Sequence, residues 1–224
     1  MGLVKDSRSK RDDTLERIER VALVPVIRAA SAELAVAAVD AILEGGISIF
    51  EITLTVPGAV QLIESLVKRF GARASIGAGT VLTAEQAEAC IDAGAEFIVS
   101  PGFDAPTVEL VLKKGLPCMP GALTPTEVIT AWKAGVDMVK IFPCSALGGA
   151  KYLSALKGPL PQVKMLPTGG VNARTAHEYL AAGASALGIG SELVDAAALG
   201  AGKLGVITAR AKELVDAVAA ARAR

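Results

Sequence analysis

The sequence predicts one α/β domain spanning residues 1–224, a (β/α)8 (TIM) barrel with an additional helix ahead of its first strand. Three observations support that expectation. Eight short β-rich segments recur along the chain, and Ala-rich stretches with apolar residues at helical spacing lie between them. Most of the helical stretches close on glycine just before the next strand, as in EGGIS, DAGAE, KAGVD and AAGAS, which suits the left-handed position that ends a helix. Eight such units with right-handed crossovers close into a barrel, an architecture of roughly 200 to 250 residues. An open doubly wound sheet would carry a glycine fingerprint after its first strand, where VIRAASAE stands instead.

Taken in order, KDSRSKR opens the chain as a solvated basic run, and residues 1–11 are expected to form a flexible tail. A helix is expected over 12–20. The strands follow as LVPVIR (23–28), ISIFEITL (47–54), ASIGAG (74–79), EFIVSP (96–101), LPCMPG (116–121), VDMVKIFP (136–143), VKMLPTGG (163–170) and SALGIGS (185–191). Between them run helical segments such as AELAVAAVDAILEGG and TAEQAEACIDAGA, several opened by a residue that can cap the first turn. A last helix is expected over 203–222. No internal linker, low-complexity tract or second domain interrupts the repeat.

Composition narrows the function classes. The 23 basic and 23 acidic side chains balance, so neither a nucleic-acid partner nor a membrane surface is favoured. The longest apolar run, VALVPVI, is too short to span a bilayer, and a cytoplasmic protein is expected. Cys90, Cys118 and Cys144 are odd in number and widely spaced, which fits neither a disulfide framework nor a zinc site, so they read as small core residues. The single histidine, His177, lies in a helical stretch without a metal-ligand partner at useful spacing, and no metal is expected.

In such a barrel the chemistry gathers where strands end and strand-to-helix loops begin. There the sequence departs from apolar pattern: Arg28, Glu51 and Thr53, Thr80, Ser100 and Pro101, Pro120, Lys140 and Phe142, Thr168 to Gly170, and Gly190 with Ser191. Strand alternation puts Met138, Lys140 and Phe142 on one face and Val139 with Ile141 on the other, so Lys140 is expected to point into the barrel. The same alternation sends Ile49, Glu51 and Thr53 inward. A desolvated lysine favours its neutral amine, which can attack a ketone and form an imine that serves as an electron sink. A nearby carboxylate can move the protons, although an ionised one would hold the lysine charged. A structural buried ion pair is the alternative.

PTGGVN and, one unit later, GIGSEL each put glycine between a strand and a helix. Gly169, Gly170, Gly190 and Ser191 therefore form a candidate phosphate cradle, with the start of a helix near Asn172 expected to contribute free N–H groups. Thr80, after GAG, reads either as a helix cap or as a substrate contact.

The strings EITLTVP, IGAGTVLT, FIVSPGF, MPGALTPTE, VKIFPCSALGG and PTGGVN, in this order, resemble the class I aldolases acting on 2-keto-3-deoxy-6-phosphogluconate and 4-hydroxy-2-oxoglutarate. The resemblance implies retro-aldol cleavage to pyruvate and glyceraldehyde 3-phosphate by a homotrimer. It implies Lys140 as the Schiff-base lysine and Glu51 as the general acid/base. Thr80 and Pro101 would line the pyruvyl end, Phe142 would pack over the imine, Thr53 would contact substrate, and Thr168 would contact a substrate hydroxyl. The four cradle residues would hold the phosphate. No cofactor is implied, because the imine itself is the electron sink. Many members carry Arg two residues after the Thr of Glu-x-Thr, where this chain has Thr55, and Arg28 is the candidate replacement for holding the carboxylate. A galactonate-type aldolase, a non-covalent sugar-phosphate isomerase or synthase, and a phosphate-binding barrel without turnover remain open as other readings.

Overall fold

The computed structural model describes residues 9–223. The chain forms a closed ring of parallel strands with helices outside. Strands β1 (Leu23–Ile27), β2 (Ile49–Thr53), β3 (Ser75–Gly79), β4 (Ile98–Val99) and β5 (Cys118–Met119) pair in sequence, and β6 (Gly121–Ala122), β7 (Val139–Ile141) and β8 (Met165–Pro167) form a second run. β9 (Leu187–Ile189) pairs with β1, and a parallel bridge between Thr168 and Gly188 joins it to the end of β8.

The expected fifth strand is split into β5 and β6. Pro120 lies between them and has no N–H to give to a ladder. Its carbonyl still accepts from Lys140 N at 2.9 Å, which carries the ring across the break. Eight strand positions result, as the sequence predicts.

The helices of the repeat run from α2 (Ala32–Glu44) through α3 (Ala59–Phe70), α4 (Ala84–Asp92), α5 (Ala105–Lys113), α6 (Pro125–Lys133) and α7 (Ala150–Lys157). Two short ones, α8 (Ala176–Ala181) and α9 (Ala196–Gly200), precede the closing α10 (Leu204–Arg222). Outward strand residues such as Phe50, Ile52, Ile76, Val139 and Ile141 pack beneath them in the main core.

A separate apolar cluster fills the barrel. Val24, Ile49, Phe97, Val99, Met119, Met138, Leu166 and Ala186 meet there, together with Ile18 from α1 (Lys10–Val21). α1 begins earlier than the sequence predicts, so Ser9–Arg11 are not tail. Ser9 and Asp12 cap each other reciprocally, and Arg11 grips the Asp137 carboxylate at 2.9 Å. This anchors α1 across the amino-terminal end of the barrel, with Ile18 as its plug. The rest of the expected tail, residues 1–8, lies outside the described residues. Cys90, Cys118 and Cys144 are free and buried, consistent with small core residues.

Candidate active site

The site sits one layer above that apolar floor. Met138 in the cluster, just before β7, and Lys140 on it share the inward face; on β2, Ile49 in the cluster and Glu51 do the same. The two long side chains reach across the barrel and meet with Lys140 Nζ 3.3 Å from Glu51 Oε1. Both are buried, at 3% and 0% exposure. The second carboxylate oxygen, Glu51 Oε2, is buried without a hydrogen-bond partner. A buried polar atom left unpaired carries a desolvation cost.

Two glycines that sequence reasoning had not assigned a site role shape this layer. Gly79, at the end of β3, faces Glu51: a Cβ there would lie 2.6 Å from the carboxyl carbon and closer still to Oε1. Gly188 on β9 does the same for Thr168, where a Cβ would come within 3.0 Å of the threonine Cβ. The only signal in sequence was a missing side chain on an inward position.

Phe142 stands over the amine, with Lys140 Nζ 5.5 Å from its ring centroid. It borders two cavities. The first, about 290 Å³, is lined by Arg28, Phe142 and Thr168 together with all four expected cradle residues, Gly169, Gly170, Gly190 and Ser191. The second, about 340 Å³, lies on the other side of Phe142 and is bordered by Pro101 and Gly121. Arg28, Phe142, Thr168 and the four cradle residues share the first cavity; the buried Lys140–Glu51 pair lines neither cavity and is joined to them through Phe142, with Pro101 on the second cavity.

Thr53 is buried and donates from Oγ1 to the Ile27 carbonyl at 2.9 Å. Its one proton is therefore used, and the 2.7 Å contact with Thr55 has Thr55 as donor. Thr55 is exposed and does not reproduce a carboxylate-binding cation, whereas Arg28 is exposed at the cavity wall. Thr80 does not cap a helix; α4 is capped by Thr83, whose side chain accepts from Gln86 N. Thr80 instead holds a left-handed backbone at φ 58°, which is strained for a β-branched residue.

Asn172 is also corrected. No helix starts there, and its N–H is used by Thr175 Oγ1 at 3.0 Å. Free donors come from the residues just before it and from the end of the next strand. Among the described residues, the N–H groups of Gly169, Gly170, Val171, Ser191 and Glu192 find no acceptor in the chain. Gly169 and Gly170 have φ of 102° and 72°, left-handed backbone that glycine adopts without strain. Successive free amides in such a turn make an anion-binding concavity.

Among the described residues no cluster of potential metal ligands occurs, and no helix is long and apolar enough to cross a membrane.

Residues 15–210 match the family described as KDPG and KHG aldolase. The chain is 37% identical to 2-dehydro-3-deoxy-phosphogluconate aldolase of Treponema pallidum, covering 91% of this chain and 96% of that one. It is 38% identical to KHG/KDPG aldolase of Escherichia coli K12, covering 87% and 91%. Its fold superposes with a TM-score of 0.82 on KDPG aldolase from Legionella pneumophila holding pyruvate as a covalent carbinolamine, at 33% identity and coverage of 89% and 97%. A buried lysine and glutamate at the mouth of a (β/α)8 barrel, matched over nine-tenths of the length of such enzymes, make this chain a member of the KDPG and KHG aldolase family.

Proposed function

We propose that the protein is a class I aldolase that cleaves 2-dehydro-3-deoxy-6-phospho-D-gluconate to pyruvate and D-glyceraldehyde 3-phosphate, and that it also accepts 4-hydroxy-2-oxoglutarate. The observation that carries the reading is the buried Lys140–Glu51 pair, 3.3 Å apart, beside a cavity walled by free backbone amides.

Transfer of one proton from Nζ to Oε1 leaves a free amine and a carboxylic acid. The amine attacks the C2 ketone, and the carbonyl oxygen takes the proton held by Glu51. Glu51, again a carboxylate, takes one proton from the attacking nitrogen and returns it to that hydroxyl, which leaves as water and gives the iminium. Glu51 then accepts the proton of the C4 hydroxyl as the C3–C4 bond breaks; its electrons flow into the iminium, and the aldehyde leaves. The enamine is protonated at C3 and hydrolysed, which releases pyruvate and restores the amine. The 3.3 Å contact between Lys140 Nζ and Glu51 Oε1 is the path of the first of these transfers.

Arg28 is the group that holds the substrate carboxylate, taking the part that Thr55 cannot. Thr53, Thr80 and Pro101 border the pyruvyl end, Phe142 covers the imine, and Thr168 meets a substrate hydroxyl. Gly169, Gly170, Gly190 and Ser191 hold the phosphate through backbone amides. The working form is a homotrimer in the cytoplasm, to be checked by light scattering for three times the 22.8 kDa chain mass. The activity is tested by coupling release of pyruvate to NADH oxidation by lactate dehydrogenase. Turnover that disappears in Lys140→Ala supports the reading, and turnover that survives the substitution contradicts it.

A further inference from the structure

The phosphate cradle uses backbone amides, and amides aim only where their peptide planes aim. Two hydroxyls fix those planes. Tyr179 on α8 donates to the Gly169 carbonyl at 3.1 Å, and Thr175 donates to the Gly170 carbonyl at 3.0 Å, the nearer of the two its one proton reaches, the Asn172 carbonyl lying at 3.3 Å. In a trans peptide the carbonyl and the following N–H point in opposite directions. Pulling the carbonyls of Gly169 and Gly170 back toward α8 therefore turns the N–H groups of Gly170 and Val171 the other way. Those are two of the donors without an acceptor in the chain, and both residues wall the 290 Å³ cavity.

The phenol is built into place. Tyr179 is 3% exposed, and Gly149, at φ 62°, leaves room for it: a Cβ there would come within 3.0 Å of the hydroxyl. Burial, with the neighbouring Cys144 adding to it, pushes the phenol up to about 12, so it stays a donor at working pH. Thr175 is tied in as well, since its oxygen accepts from Asn172 N at 3.0 Å.

We infer that Tyr179 and Thr175 are positioning residues for phosphate specificity: their hydroxyls hold two successive peptide planes so that the Gly170 and Val171 amides face the substrate phosphate. The inference rests on the phosphate reading of this cavity. Neither side chain reaches the reacting carbons, so the imine chemistry does not depend on them.

The test compares wild type and Tyr179→Phe on 2-dehydro-3-deoxy-6-phosphogluconate and on the same sugar acid without its phosphate. Pyruvate trapping by borohydride and competitive inhibition by inorganic phosphate are measured alongside. Loss of one aligned donor to a phosphate should lower kcat/KM for the phosphorylated substrate about tenfold, through KM, and weaken phosphate inhibition similarly. Activity on the dephosphorylated acid and the trapping of pyruvate should be unchanged. Equal loss on both substrates, or no loss on either, overturns the inference. A wild type that neither prefers the phosphorylated acid nor is inhibited by phosphate overturns the cradle itself and the inference with it. Should Tyr179→Phe not fold, Thr175→Val must give the selective loss and Thr175→Ser, which keeps the hydroxyl, must restore wild-type behaviour.

Discussion

Gly79→Ala is the substitution that isolates the placement of Glu51 from its chemistry. Gly79 lies at the end of β3 with an ordinary backbone, so alanine fits the strand itself. The added Cβ would lie 2.6 Å from the Glu51 carboxyl carbon, and its three nearest contacts are all with that one side chain. Carbon atoms rest about 3.5–4.0 Å apart, so the carboxyl carbon must retreat by about 1 Å. Glu51 must therefore shift away from β3, which alters its 3.3 Å contact with Lys140 Nζ. A displacement of about 1 Å in a reacting group costs on the order of 10²-fold in rate. The expected result is a kcat for 2-dehydro-3-deoxy-6-phosphogluconate cleavage reduced about 100-fold with KM nearly unchanged, measured by the lactate dehydrogenase coupled assay. Alanine is small and the fold should persist, which circular dichroism and the melting temperature check. Wild-type kcat in a folded Gly79→Ala enzyme would refute the claim that Glu51 must stand where it does.

Further outcomes follow from other parts of the molecule. Glu51→Gln keeps shape but removes the proton acceptor, and turnover should fall by about 10² or more; near-unchanged turnover removes Glu51 from proton transfer. Arg28→Ala should raise KM for the keto acid about tenfold, as expected for one lost charged hydrogen bond, and an unchanged KM would send the carboxylate elsewhere. Ile18→Ala should cost about 2–5 kcal/mol in urea unfolding, because Ile18 is fully buried as the plug of the barrel floor. The thiols give a pH prediction. Burial raises Cys90 and Cys144 to about 11 and, with the Asp137 charge adding to it, Cys118 to about 12, from an ordinary 9.0. The folded chain thus holds these protons more tightly than the unfolded one. Their contribution to stability is whole below about pH 9 and is lost as pH rises through 11 to 12, which denaturation midpoints across that range would register. At pH 8 a disulfide reagent should label the native protein far more slowly than the unfolded chain, and rapid labelling would show the thiols to be accessible.

The barrel was legible because its signals are local and repeated. Apolar periodicity, capping residues and closing glycines mark each strand and helix, and strand alternation alone sent Lys140 and Glu51 inward to the layer where they meet. What escaped depends on contacts between distant segments. The break at Pro120 reads as strand until the ladder is drawn, and the early start of α1 depends on Asp137, far along the chain. Asn172 looks like a helix start, yet the chain makes a side-chain turn there first, so the free amides of this loop belong to the residues before it. Gly79 and Gly188 act through what they leave empty, which only the facing side chain reveals. Tyr179 reads as an ordinary buried aromatic on a helix, because nothing in the sequence says which carbonyl its hydroxyl meets.

The most direct test of the central claim is mass spectrometry of the enzyme reduced with sodium borohydride in the presence of pyruvate. A stable pyruvate-derived adduct should map to Lys140 and vanish in Lys140→Ala. An enzyme that cleaves its substrate yet yields no adduct, or carries it on another lysine, would contradict imine formation at this residue.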